Sequence, residues 1–362
     1  MRILAFLLGA AGAVWIVVAA VRAMVVPRPV RALLPRFAFH TVRGLVGAVA
    51  RRRRAFEAED RILATAAPLG LVAVVFTLMA GLLAAFTPVF WSLHPAVGWG
   101  GAFRRSGSSL TTLGFSPPEG VAGHAAAFLE AGLGLLLLTL LISYLPAIYT
   151  AFSRRETKVA LLAVRAGTPP RAVEFLVRYR RLGRLDRLEA EWEEWEVWFA
   201  DLGESHTTYP SLVFYRSPDA RRSWITAAGT VLDAAALWVA VLADVPRASA
   251  RLCIRSGYLA LRQVADAFGI PYDPAPSPRA PVSITRAEFD GACDELAAAG
   301  VPLREDRDAA WSTFAGWRAN YDTVLLALAE LIHPPYAPWT GDRSAPDHRP
   351  HRPRRRWVGP AS

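Results

Sequence analysis

Between Ile62 and Phe103 the chain carries no Asp, Glu, Lys or Arg. An uncharged run of that length is at home in a bilayer, where a helix satisfies its own backbone and apolar side chains need no protein partner. The part from Ile62 to Phe90 is long enough to span with some tilt. Two more runs share this character. Ile3 to Val21 is free of charge, and Val121 to Phe152 is apolar apart from Glu130 and His124 and ends in Ser153, Arg154 and Arg155. The sequence therefore predicts three transmembrane helices in the first 152 residues and an all-α membrane protein.

The charges between these runs set an expected orientation. Arg28, Arg31, Arg36, Arg43, Arg51 to Arg54 and Arg61 fall between the first and second runs, and short arginine-rich loops stay on the cytoplasmic side. The first helix then runs from outside to inside, residues 93 to 120 face outward, and everything after Phe152 is cytoplasmic. Val21, Arg22 and Ala23 loosely resemble a signal-peptide cleavage site, but the arginines that follow favour an anchor. Within the basic loop, Ala38, Val42, Leu45 and Val49 recur at helical spacing, which fits either an interfacial helix on anionic headgroups or a solvated linker that sets topology. Lys158 is the only lysine in a chain of formal charge +10, an arginine bias that suits a GC-rich bacterial genome. The expected location is a bacterial inner membrane, with the N-terminus outside.

The link between the second and third runs is not an ordinary outer loop. It reads Phe103-Arg-Arg-Ser-Gly-Ser-Ser-Leu-Thr-Thr-Leu-Gly-Phe-Ser-Pro117, after Trp91 and Trp99 at interfacial positions. A short re-entrant helix fits, and non-helical backbone at membrane depth is tolerated only where protein buries it or it lines a watery path. Here the chain resembles the potassium-channel superfamily over about residues 62 to 152. Thr111, Thr112, Leu113, Gly114, Phe115 and Ser116 stand where that family carries its selectivity filter. The resemblance implies a homotetramer, each subunit giving one quarter of a ring of backbone carbonyls that replaces the hydration shell of a monovalent cation, with potassium as the permeant ion. It implies no bound cofactor and no enzymatic activity. Ser116 in place of the outer glycine, and Pro117 and Pro118 in place of the family's aspartate, make potassium selectivity doubtful. The whole chain also resembles actinobacterial membrane proteins, which brings no activity with it.

Arg104 and Arg105 fall in the expected pore helix. A charge at membrane depth calls for a partner, and Glu130 on the next helix is the candidate. Gly132 and Gly134 follow on that helix, as a hinge or as close-packing positions.

Residues 153 to 340 are polar and helical in pattern, and an all-helical domain is predicted there. Thr168-Pro-Pro marks a helix start. Leu185, Leu188, Trp192, Trp195, Phe199 and Leu202 form a heptad seam that serves either subunit pairing or the domain's own core. Thr226 to Ala243 is apolar but short, with Asp233 in its middle, and reads as a buried helix in preference to a fourth span. Ile270 to Val282 is a proline-rich connector, and Thr285 with Glu288 predicts a capping box. Trp311, Phe314, Trp317, Tyr321 and Leu325 line up on one helical face. No glycine-rich phosphate loop, zinc motif or nucleophile elbow is present, so no ligand of this domain can be named. Glu204 and His206 suggest an acid and base pair only weakly, since no third group stands at a recognised spacing. Cys253 and Cys293 read as reduced core residues. The division expected is an anchor over 1 to 26, a basic segment over 27 to 61, the channel-like part over 62 to 152, the helical domain over 153 to 340 and a basic disordered tail over 341 to 362. In that tail His348, Arg349, His351, Arg352 and Arg354 to Arg356 suit anionic lipid; without interleaved aromatics on a folded surface, nucleic acid is not the expected partner. The chain lacks a disulfide framework.

Overall fold

A computed structural model describes residues 1–24, 33–53 and 55–343. The basic tail after residue 343, with Arg28, Arg31 and Arg54, lies outside the described residues. The described residues form helices and no strand, apart from an antiparallel bridge between Leu242 and Leu303. They fall into two compact units, one of residues 1–54 and 61–150, the other of residues 55–60 and 151 onward.

The first unit contains α1 (Arg2–Met24) and α2 (Leu33–Ala50); α3 (Phe56–Leu63) straddles the boundary. The unit continues with α4 (Ala66–Leu93), α5 (Gly98–Leu110) and α6 (Gly120–Ala166) as far as Thr150. Small residues make its central contact. Gly9, Ala13, Ile16 and Ala20 recur every three or four positions and form the buried face of α1. They bring α1 so close to α4 that a Cβ on Gly9 would lie 2.5 Å from the Ala85 carbonyl oxygen. Close approach through small residues drives helix association where lipid is as apolar as leucine. Arg2 Nε donates to the Ser92 carbonyl at 3.1 Å, so the start of α1 meets the end of α4 and the two helices are antiparallel. Leu4, Leu7, Leu8, Trp15 and Val18 remain exposed.

Helix α2 confirms helical structure in the basic segment. It packs on α4, where Phe39 lies against Gly70, and leaves Leu45 and Val49 exposed. Helix α6 runs well past the expected stop at Phe152 and continues to Ala166. Arg154 and Arg155 do not end it, because both find carboxylate partners, Asp201 and Glu156 respectively.

The second unit holds the rest of α6, then α7 (Ala172–Arg181), α8 (Leu188–Thr208), α9 (Trp224–Val241), α10 (Ala248–Phe268), α11 (Arg286–Ala298), α12 (Arg307–Arg318) and α13 (Asp322–Ile332). Among the described residues four helical segments are long and apolar enough to cross a membrane: Arg2–Met24, Phe56–Leu93, Gly120–Ala166 and Trp224–Val241. The last differs from the others in burial. Every residue of α9 is buried, against 17% of the apolar stretch of α6. Helices α7, α8, α10, α12 and α13 pack around α9, so it is the centre of the second unit's core, as its short length and Asp233 suggest. At its contact with α10, a Cβ on Gly257 would fall 2.5 Å from Leu232.

The heptad seam resolves toward the core: Leu188, Trp192, Trp195, Phe199 and Leu202 are all buried within this unit. Thr285 and Glu288 make the reciprocal capping box that opens α11. Two boundaries differ from expectation. Helix α7 starts at Ala172, two residues beyond Thr168-Pro-Pro, and the aromatic face from Trp311 to Leu325 is shared by α12 and α13, which break at Ala319 to Tyr321. That break lets Tyr321 and Asp322 turn inward beside Arg318.

Candidate functional site

The segment after α5 is built on a helix ending. Thr111 caps α5; Thr112 follows with φ +56, the amide of Thr112 donates to the Ser109 carbonyl at 3.0 Å, and that of Leu113 to the Ser108 carbonyl at 3.1 Å. These two bonds make a Schellman ending, which normally places glycine at the left-handed position. Here a β-branched threonine takes it. Gly114 repeats the left-handed backbone with φ +71, while Leu113 between them does not. Positive φ at Thr112 and Gly114 therefore flanks a Leu113 that lacks it.

Ser108 ties the segment down. Its carbonyl accepts from Leu113 and, at 3.4 Å, from Gly114, and its hydroxyl accepts from the Ser116 amide at 3.0 Å. Thr111 Oγ1 is not free: it donates to the Gly107 carbonyl at 2.6 Å. Leu113 and Phe115 stand 70% and 63% exposed. Phe115 is thus not buried behind the segment, the role the resemblance implies for it. Trp91 and Trp99 stack face to face at 4.9 Å, joining the end of α4 to the start of α5.

The charge arrangement corrects the sequence expectation. Neither arginine meets Glu130. Arg105 pairs with Glu119 at 2.8 Å, and Arg104 is exposed. Glu130 is wholly buried and instead accepts from Ser106 Oγ at 2.5 Å through Oε1, while its Oε2 has no partner among the described residues. Ser106 also lies 3.2 Å from the Leu83 carbonyl, so one hydroxyl touches α4, α5 and α6 together. The geometry explains the exchange. Adjacent residues on a helix point about 100° apart, so Ser106 and Arg105, both buried, leave α5 in different directions, the serine to Glu130 and the arginine to Glu119. Glu119, beyond the two prolines, was not singled out from sequence because it lies outside any apolar run.

The two glycines of α6 also separate. A Cβ on Gly134 would lie 2.7 Å from the Leu110 carbonyl oxygen, so Gly134 is where α6 approaches the end of α5 most tightly. Gly132 faces open space. The helix passes unbroken through both, and its internal proline is Pro146.

In the second unit, Glu204 and His206 do not form a pair. Glu204 is exposed and accepts from Thr208, whereas His206 is buried between Arg155 and the Leu202 carbonyl. The bonding fixes the tautomer: Nδ1–H donates to Leu202, and Nε2 accepts from Arg155. Burial, reinforced by Arg155, holds the ring's pKa well below the ordinary histidine value. Cys253 and Cys293 are buried and free, and burial pushes the Cys293 thiol up to about 11. Among the described residues no group of His, Cys, Asp and Glu is arranged to hold a metal.

A network that sequence reasoning missed sits under α9. Arg318 donates to Asp233 at 2.5 Å and to Asp322 at 2.6 Å, and Tyr321 donates to Asp233 at 2.9 Å, all of them buried. The only sequence signal is an acid inside an apolar run; nothing local points to a partner so far along the chain.

No family model matches this chain, and no curated protein or solved structure matches it either.

Proposed function

We propose that the chain is the subunit of a pore-loop cation channel, assembled as a homotetramer in a bacterial inner membrane, with its second unit in the cytoplasm. The observation that carries this reading is the alternation in the sign of φ, positive at Thr112 and Gly114 but not at Leu113 between them, at the end of a short helix between two apolar helices. Alternation of handedness turns successive carbonyls toward one side, which a carbonyl-lined filter requires. The exposed segment from Thr111 to Phe115 and the largely uncovered α6 leave surface for neighbouring subunits. The permeant ion is a monovalent cation, and Ser116 at the outer position weakens discrimination of potassium from sodium.

The test is flux through reconstituted vesicles. Monovalent cations are expected to pass, and Thr112→Ala or Gly114→Ala to change selectivity or abolish current. Silent tetramers under voltage, pH and calcium screens, or a monomer in mild detergent, would count against a channel.

A second reading is a non-conducting, membrane-anchored helical interaction protein. The Schellman bonds from Thr112 and Leu113 favour it, since they satisfy the segment as an ordinary helix ending. A folded monomer is its signature.

A further inference from the structure

A cavity of about 190 Å³ opens within the second unit between the start of α7, the middle of α9, α11 and the segment carrying Trp339. Three carboxylates line it, and two are already engaged. Glu295 pairs with Arg171 at 2.6 Å, and Glu288 with Arg343 at 2.9 Å while closing its capping box. The third, Asp233, is 1% exposed. Its Oδ1 takes both bonds, from Arg318 and from Tyr321, and no described residue donates to Oδ2. The buried network is also unequal in charge. One guanidinium serves two carboxylates, and Asp322 is saturated by Arg318, the Ser283 amide and the Ser283 hydroxyl. The Asp233 oxygen left without a donor among the described residues therefore sits in a network with one more carboxylate than guanidinium.

Buried charge is tolerated when it is paired and hydrogen-bonded. What the cavity lacks is a cation that also donates. Thr230, one turn before Asp233 on the same helix, lines the cavity too, and its hydroxyl retains lone pairs after donating to the Pro170 carbonyl at 3.3 Å. Trp339 forms part of the wall with a left-handed backbone, φ +65, a conformation that costs a bulky residue energy and persists only where the surroundings enforce it. Its carbonyl is bound by Arg318 at 2.8 Å, which couples that wall to the network.

The geometry points to a binding site for a small primary ammonium compound, its N–H groups directed to Asp233 Oδ2 and Thr230 Oγ1 and its short carbon chain against Trp339. This inference is independent of the channel reading. Ammonium N–H groups supply what the site is missing; a quaternary ammonium has no donors, and a bare alkali ion offers the aromatic wall nothing apolar.

The experiment is isothermal titration calorimetry of the full-length protein in detergent with ethylammonium chloride, compared with potassium chloride and tetramethylammonium chloride at equal ionic strength. Saturable heat is expected for ethylammonium alone. Asp233→Asn is expected to weaken it roughly tenfold or more. Because Asp233 also holds Arg318, Gly291→Leu provides a variant outside the network. Gly291 lines the cavity, and a Cβ there meets nothing within 4 Å. Its leucine is expected to obstruct the site in a protein that melts as the wild type does, with a comparable loss of binding. The inference is overturned by the absence of saturable ethylammonium heat in the millimolar range, by equal binding of potassium or tetramethylammonium, or by unchanged binding in folded Gly291→Leu protein. If Asp233→Asn does not fold, Gly291→Leu decides alone.

Discussion

Arg318 and Asp233 lie 85 residues apart and meet at 2.5 Å with both side chains buried. The pair joins α12 to the centre of α9, and Asp322, one turn from Arg318, shares the guanidinium. Removing Arg318 by Arg318→Met strands two buried carboxylates and is expected to cost about 3 to 5 kcal/mol. Asp233→Leu leaves Arg318 paired with Asp322 and should cost less, and the double variant less than the sum, because removing Asp233 also removes one of the two charges that Arg318→Met orphans. Melting of the purified protein followed by circular dichroism checks the cycle; additive losses would dissolve the pair.

The contact between α5 and α6 gives an ordering. Ser106→Ala removes the donor from a buried carboxyl and is expected to cost about 1 to 3 kcal/mol. Arg105→Gln breaks a pair in which the arginine is buried but Glu119 is 75% exposed, so that solvent screens it to about 1 kcal/mol or less. Heat stability in detergent should therefore fall more for the serine than for the arginine. The reverse order would restore an arginine as the partner of Glu130.

His206 predicts an acid limit for the second unit. Its folded pKa is depressed by burial and by Arg155, so below the unfolded value of about 6.5 the unfolded chain binds a proton that the folded one refuses. Stability is then complete above about pH 6.5 and falls as the pH drops below it, by up to about 1.4 kcal/mol per unit. Denaturant midpoints of the wild type and of His206→Gln between pH 5 and 8, where His206 titrates if unfolded, should converge on acidification. Parallel curves would remove histidine as the cause.

The left-handed pair Thr112 and Gly114 should respond oppositely to substitution. Thr112→Gly relieves a β-branched residue in left-handed backbone and is expected to stabilise by about 1 kcal/mol, and Gly114→Ala to destabilise by about as much. Melting temperatures of the two variants test this separately from any current. A stabilised Thr112→Gly protein that no longer conducts would show that the threonine is held there at a cost in stability.

The legible parts of this molecule were those encoded by one-dimensional pattern. Charge-free length marked α1, α4 and the apolar part of α6, heptad spacing identified the buried face of α8, and the Thr285 and Glu288 spacing located the start of α11. Partnerships across helices were not legible. That Arg105 turns to Glu119 and Ser106 to Glu130 depends on the direction each buried side chain takes from α5, and two neighbouring polar residues do not disclose that. The extension of α6 past Phe152 was hidden for a related reason. Arg154 and Arg155 resemble a polar stop until Asp201 and His206, remote in sequence, and the neighbouring Glu156 are seen to receive them.

The complete enclosure of α9 has a consequence for the order of events during synthesis. Its mean hydropathy of 1.6 qualifies it as a membrane span by composition, although α1 and α4 reach 2.5. Before α10, α12 and α13 have been made, only α7 and α8 are available to cover it, and by composition a nascent α9 suits a bilayer as well as a protein core. Asp233 lies at its middle, where an aspartate opposes insertion by about 2.5 to 3.5 kcal/mol. The carboxylate therefore acts twice, first as a toll against the bilayer and only later, once α12 has emerged, as the anchor for Arg318.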